Sequence, residues 1–277
     1  MERLTLVALY DDGGEKGRRS VAAIRHSLGV LKSAGTIRFK YVRPSKADTV
    51  VEGADIIVFF AGTNPGEDRA LLHSLQGGKT IRVHEGKLAE DQFRITVDGV
   101  TLASPRTARS PSLYPVFTNR IREVGEEAPV LVLHQATESS VNPACRLWTY
   151  NLVSAAKRAG RDVVFRTANP ALALERYRGL IRISEEPALS KDVDRSFFVA
   201  SYSSTDLLIA ACRRVPVVCA EGDAKPCSSD MDELLDYGRV DLPYAADVHD
   251  CLRNVAADQW SLEEIRSGEA FQRLFSS

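Results

Sequence analysis

The residues best suited to chemistry stand where apolar runs give way to hydroxyls, carboxylates and guanidinium groups. The run Ser196-Phe-Phe-Val-Ala-Ser-Tyr202 is followed by Ser203, Ser204, Thr205 and Asp206, and then by an apolar helical stretch that reaches Arg213. A serine or threonine at such a junction caps the helix, and several backbone N–H groups of its first turn are left pointing outward. Exposed amides and the helix dipole together favour a diphosphate. Arg166 closes another apolar run, Asp162-Val-Val-Phe-Arg166, ahead of Asn169-Pro170. A guanidinium there suits bidentate contact with phosphate. Glu221 follows Val215-Pro-Val-Val-Cys-Ala220, and a carboxylate on a strand-end loop can accept hydrogen bonds from ribose hydroxyls.

The first half of the chain offers carboxylates and cations of its own. Leu4-Thr-Leu-Val-Ala-Leu-Tyr10 runs into Asp11, Asp12, two glycines and Glu15, and a later strand pattern ends in His84-Glu85. A glycine-rich loop lets a substrate approach the backbone closely, which favours Asp12 as a reacting carboxylate, with Glu85 second. Lys16, Arg18, Arg19 and Arg25 follow, with Arg106, Arg109, Arg120 and Arg122 further on. Such residues hold a phosphate backbone without reading its sequence.

The familiar signatures are missing. There is no GxGxxG, no GxxxxGK[ST], no HExxH, no GxSxG and no protein-kinase set. Five cysteines, Cys145, Cys212, Cys219, Cys227 and Cys251, form no CxxC pair. That spacing reads as free thiols in a reducing compartment, with no zinc site.

These groups must be held by alternating strands and helices. Continuous apolar runs such as Ile56-Ile-Val-Phe-Phe60 suit strands buried on both faces of a parallel sheet. Val21, Ile24, Leu28 and Leu31 repeat at helical spacing between two of them. The first half reads strand, helix, strand, strand, a helix from Asp68 to Leu75, and a strand from Thr80 to His84. A strand pair turning at Asp98-Gly99 follows. Residues 92–128 then change texture, with Ser, Pro and Arg crowded between 104 and 115. The same strand–helix grammar restarts at Val130.

The reading is therefore α/β with two Rossmann-like domains, 1–125 and 126–277. At 277 residues and a net charge of −1, such a chain has little room for further insertions. The charge is uneven: residues 1–125 carry 19 Lys and Arg against 14 Asp and Glu, a net of +5, and the remainder a net of −6. A basic first half points to an anionic partner. The longest apolar runs are far shorter than the ~18 residues of a membrane helix, and the N-terminus enters a strand pattern at once. The expectation is a cytoplasmic protein with no membrane partner.

The order strand–Arg166-x-x-Asn169-Pro170, then strand–Ser203-Ser204-Thr205-Asp206-Leu-Leu-Ile-Ala-Ala–x–Arg213-Arg214-Val-Pro-Val-Val218, resembles the C-terminal half of GT-B glycosyltransferases. The tail, Asp258-Gln-Trp-Ser-Leu-Glu-Glu-Ile-Arg-Ser-Gly-Glu-Ala-Phe271, resembles the ending of small GT-B-like proteins encoded by bacteriophages and prophages, some of which glycosylate modified pyrimidines in phage DNA. The likeness covers roughly residues 130–275. It departs from the family pattern at Arg214, which stands for a glycine, and at Asn169, which stands for a histidine. The N-terminal half carries no family motif.

The resemblance implies a donor half in which Arg166 and the Ser203–Thr205 turn hold the diphosphate of a nucleotide sugar, UDP-glucose favoured, with Glu221 on the nucleoside. It implies a last helix, about 261–275, that crosses back to the N-terminal domain. It also implies an acceptor half that supplies a general base, Asp12 or Glu85, if the reaction inverts the sugar. No metal or cofactor is implied besides the co-substrate. The favoured acceptor is a hydroxymethylated pyrimidine in phage DNA, held through Lys16, Arg18 and Arg19, by a monomer or homodimer in the host cytoplasm. A transferase acting on a cell-surface or capsular glycan, an inactive GT-B-like binding protein and a nucleotide-sugar epimerase are the other readings.

Overall fold

A computed structural model describes residues 4–10, 18–42, 53–60, 73, 76–89, 92–98, 100–102, 113–118, 125, 127–135, 142–237 and 246–275. Asp11, Asp12, Glu15, Lys16, Arg106, Arg109, Arg120, Arg122 and most of the expected helix 68–75 lie outside them. The chain folds as two compact units, Met1–Ala108 with Ala257–Ser277, and Arg109–Ala256. Their division stands at 108/109 and 256/257, where the sequence reading places a single boundary at 125.

Unit 1 is built on β1 (Leu6–Tyr10), α1 (Arg18–Ser33), β2 (Arg38–Val42), β3 (Ile56–Phe60), β4 (Lys79–Glu85), β5 (Gln92–Val97) and β6 (Val100–Thr101). The sheet order is β12-β5-β4-β3-β1-β2, with β6 also on β5 and β12 supplied by the tail. β2, β1, β3 and β4 run parallel, in the register Tyr41↔Leu9, Leu9↔Val58 and Val58↔Ile81. β5 turns back antiparallel on β4, and Asp98, at φ 48°, makes the corner to β6 while its Oδ1 accepts from Thr80 N at 2.7 Å. Val7, Leu9, Val58, Ile81 and Val83 are fully or almost fully buried with Ile24, Leu28 and Leu31 of α1. That is why these strands read as unbroken apolar runs.

The tail completes this unit. β12 (Trp260–Ser261) pairs antiparallel with β5, and Trp260, fully buried, donates its indole N–H to Leu102 O at 2.9 Å. Ser261 and Glu264 form a reciprocal capping box that starts α8 (Leu262–Ser267). The single helix expected over 261–275 is in fact two. Gly268 at φ 89° closes α8, and α9 (Glu269–Phe275) restarts beyond it. Ile265, Ala270 and Phe271 bury against α1 residues in the unit 1 core. The motif Gln-Trp-Ser-Leu-Glu-Glu-Ile-x-Ser-Gly is thus a strand, a cap, an apolar anchor and a left-handed stop in succession.

Unit 2 holds β7 (Val130–His134), α2 (Pro143–Arg158), β8 (Val163–Thr167), α3 (Pro170–Arg176), β9 (Arg182–Ile183), α4 (Leu189–Arg195), β10 (Val199–Ser201), α5 (Leu207–Cys212), β11 (Val217–Cys219), α6 (Met231–Tyr237) and α7 (Ala246–Ala257). Its sheet is parallel, in the order β11-β10-β7-β8-β9. Asn142 and Asn169 cap α2 and α3, each followed by proline at the first helical position. Proline there gives up an N–H that would have no partner anyway. Cys227 and Cys251 are joined by a disulfide that ties the 3-10 turn Lys225–Cys227 to α7, which corrects the expectation of five free thiols. The remaining three, Cys145, Cys212 and Cys219, are buried and free.

Candidate functional site

The unit 2 sheet starts at β7 and extends first to β8 and β9 on one side, then to β10 and β11 on the other. The chain reverses direction of growth between β7 and β10. In open parallel sheets the crevice outside the carboxyl ends of two such strands is where ligands bind, because helices leave those ends on opposite faces. The residues at that point are His134 and Gln135 after β7, and Ser201 to Thr205 after β10.

Their hydrogen bonds fix a polar rim. Ser201 Oγ donates to Leu133 O at 2.8 Å and accepts from Ser204 N at 3.3 Å. Ser203 Oγ donates to Gln135 Oε1 at 3.0 Å, so the two strand ends are stitched directly. Ser204 Oγ accepts from Asp206 N at 3.2 Å. The carbonyls of Ser204, Thr205 and Asp206 then accept from the amides of residues 207, 208 and 209, so α5 opens through a tight 3-10-type turn with Asp206 at the N-cap and no side-chain cap, in place of the serine or threonine cap the sequence suggests. Thr205 and Asp206 are exposed at its rim.

Glu221 joins them from β11. Its amide and that of Ala220 both donate to Tyr202 O, at 2.9 and 3.2 Å, and its side chain is exposed. Gly222 follows at φ 91°, where an added Cβ would stand 3.1 Å from Ser203 O. Only glycine fits a left-handed position pressed so closely on another backbone. Ser203, Ser204, Thr205 and Glu221 are therefore brought together, as the sequence suggests.

Arg166 is not with them. It lies on β8, and β7 intervenes between that strand and β10, a separation of roughly 10 Å at the usual strand spacing. Its Nη1 donates to Asp192 Oδ2 at 2.8 Å and to Glu186 O at 2.7 Å, and its Nη2 donates to Pro187 O at 2.8 Å. Asp192, 9% exposed, also accepts from Ser184 Oγ at 2.6 Å. The guanidinium braces the 184–192 segment against β8, and its charge is matched within the fold.

His134, which ends β7, drew no notice in the sequence. A polar residue that closes the first strand of an α/β unit was the available signal. It is 5% exposed, stacks on Phe165 with ring centroids 5.0 Å apart, meets Tyr177 edge-on, and shares a hydrogen bond of 3.2 Å between Nδ1 and Thr167 Oγ1. Burial, with the Arg176 charge adding to it, lowers its pKa to about 4. At neutral pH it is thus uncharged, packed against Phe165 and Tyr177 on the β8 side of β7. Burial likewise pushes the Cys212 thiol up to about 12 and raises that of Cys219. Neither is a nucleophile in this state.

The remaining sequence-derived residues belong to unit 1. Glu85 is the exposed last residue of β4, at the carboxyl end of the sheet, next to His84, whose Nε2 lies 3.3 Å from Thr96 Oγ1. β1 ends at Tyr10 beside the unit 1 switch point between β1 and β3, two residues before Asp12, which with Lys16 lies outside the described residues. Arg18 and Arg19 are exposed in the first turn of α1. Among the described residues no group of three or more His, Cys, Asp or Glu could hold a metal ion, and no helix is long and apolar enough to cross a membrane.

No protein-family model and no curated protein matches the chain. Solved structures of similar fold do. The beta Kdo 2,4 transferase of KpsC from Thermosulfurimonas dismutans is 12% identical, at TM-score 0.45 over 84% of this chain and 90% of that one. A glycosyltransferase from Rickettsia africae is 11% identical, at TM-score 0.43 over 99% and 98%. A UDP-GlcNAc 2-epimerase from Methanocaldococcus jannaschii, solved with UDP-GlcNAc and UDP, is 11% identical at TM-score 0.39 over 99% of each chain. At such identities and TM-scores the likeness carries no argument about what this chain does.

Proposed function

We propose that the protein is a GT-B-type glycosyltransferase that takes a sugar from a nucleotide sugar, UDP-glucose favoured, and places it on a hydroxyl. The observation that carries this reading is the polar rim at the β7–β10 switch point, where the Ser203–Gln135 bond, the Ser204 turn and the Gly222 close approach converge. A nucleoside diphosphate suits it chemically. The Thr205 amide, exposed in the turn, donates to a phosphate oxygen, and Glu221 accepts from the ribose hydroxyls.

Transfer then has a simple balance. The acceptor oxygen attacks the anomeric carbon, the bond from that carbon to the phosphate oxygen breaks, and the nucleoside diphosphate leaves with the electron pair. A unit 1 carboxylate, Asp12 first and Glu85 second, takes the acceptor proton if the configuration inverts. The positive partial charges of the turn stabilise the leaving diphosphate as its charge grows. Arg166 contributes indirectly, by holding the 184–192 segment beside β8.

The acceptor we assign is a hydroxymethylated pyrimidine of phage DNA. The tail resemblance and the basic first half of the chain support it. Incubation with a panel of nucleotide sugars and hydroxymethyl-pyrimidine DNA, read by nucleoside mass spectrometry, tests both halves of the reading. A mass increase of one hexose on the modified base is expected. Unchanged nucleosides across the panel, with sugar transferred to a capsular oligosaccharide instead, would replace the DNA acceptor by a glycan.

A further inference from the structure

We infer that the groove between α1 and edge strand β2 is a docking surface for the phosphodiester backbone of DNA. The inference deepens the acceptor reading above and rests on it for its purpose, while its geometry stands alone. From Arg18 to Val42 the chain holds Arg18, Arg19, Arg25, Lys32, Arg38 and Lys40 and not one Asp or Glu. This acid-free stretch folds into one helix and the strand beside it.

The helix arranges its cations in a row. Arg18, Arg25 and Lys32 are seven residues apart, so each lies nearly above the last, about 10.5 Å along the axis. That step is the rise of about three nucleotides along one strand, at 3.4 Å each. The buried face of α1 is apolar and turned to the core, which leaves this row outward. Between α1 and β2 lies an open groove of about 730 Å³, with Arg18, Arg25, His26, Ser33 and Tyr41 on its walls. Arg25 is held over the Tyr41 ring, 4.5 Å from its centroid, so that cation stands in a defined place rather than sweeping through solvent.

The charge is directional as well. Along β2, Phe39 and Tyr41 pack toward the α1 core, whereas Val42 joins the cluster on the other face of the sheet with Ala8 and Phe59. Strand alternation puts Arg38 and Lys40 on that other face. They are built-in controls: equally basic, equally exposed, and outside the groove.

The test measures binding of a 20-base-pair DNA by fluorescence anisotropy at several salt concentrations, for the intact chain and two variants. Arg18→Glu/Arg25→Glu should lose at least 30-fold in affinity at 50 mM salt and lower the log–log salt slope by about 1.8, at 0.9 per phosphate contact. Arg38→Glu/Lys40→Glu should change the affinity by less than about 3-fold. Melting curves check the fold, and if the groove variant does not fold, Arg25→Gln alone should lower the slope by about 0.9. The inference falls if the groove variant binds as the intact chain does, if the two variants lose equally, or if a sulfated polysaccharide of equal charge binds as tightly as DNA. Loss of DNA modification with groove binding intact would sink the transferase reading instead, so the two failures can be told apart.

Discussion

Replacing Arg166 by alanine separates a brace from a phosphate ligand. The substitution removes an ion pair to Asp192 and two hydrogen bonds to the carbonyls of Glu186 and Pro187. Pro187 is exposed, and water can reach its carbonyl once the arginine is gone. The cost falls mainly on Asp192, which keeps only Ser184 among the hydrogen bonds described for its side chain and is 9% exposed. Stripping the partner from a buried charge costs ~3–5 kcal/mol, and the part-exposed arginine end, 30% accessible, reduces that to about 2–3 kcal/mol. For a unit of this size the melting temperature should fall by about 5–10 °C. Asp192→Asn in the same background should recover part of the loss, because it removes the unpaired charge. Calorimetric unfolding supplies the stability, and titration with UDP supplies the affinity, which should change by less than about 3-fold. Unchanged melting with UDP binding weakened 30-fold or more would refute the brace and restore Arg166 as a diphosphate ligand.

Unit 2 should lose stability in acid through His134. Its folded pKa of about 4 lies below the ordinary 6.5, so the native state holds it neutral. The contribution is complete above pH 6.5 and fades as the pH falls toward 4, by at most about 3 kcal/mol, and His134→Gln should flatten that part of a urea-midpoint profile. Cys227→Ser/Cys251→Ser opens a loop of 24 residues' separation and should cost ~3 kcal/mol, read as a fall in the denaturant midpoint that reducing agent reproduces in the parent chain. Arg214→Gly should raise stability by about 1 kcal/mol, because Arg214 sits at φ 59°; a fall would mean that its side-chain contacts outweigh the backbone strain. Gly222→Ala should distort the 220–222 turn against Ser203 and weaken UDP binding at least 10-fold, measured by titration.

Much of this was open to reading in the sequence, for identifiable reasons. Strands buried on both faces leave unbroken apolar runs, so Leu6–Tyr10, Ile56–Phe60 and Val130–His134 announce a parallel sheet. The tail was legible in part: its helical apolar spacing was read, but as one helix, whereas Trp260 and Ser261 form a strand and Gly268 divides the rest into two helices. The left-handed exit of α5, where Val215 N and Arg214 N return to the carbonyls of Ala210 and Ala211, is a position that favours glycine. Arginine keeps that geometry at a cost in strain.

What stayed hidden was hidden by distance or brevity. β9 and α4 are two and seven residues long, too short for a period to emerge. The partner of Arg166 is 26 residues away, and nothing local marks Asp192 as the carboxylate that claims it. The Cys227–Cys251 pairing is equally non-local. The Ser203–Gln135 stitch, which makes one site of two strand ends, joins residues 68 positions apart and depends on strand order alone.

The proposed function requires a nucleoside diphosphate to seat on the turn at 203–205, at the β7–β10 switch point. Titration calorimetry of UDP and UDP-glucose into the intact chain, with Gly222→Ala alongside, tests it most directly. One site of saturable heat that is lost or weakened at least 10-fold in the variant is the predicted result. Absence of heat in the intact chain for these and other nucleoside diphosphates, or equal binding by the variant, would contradict it.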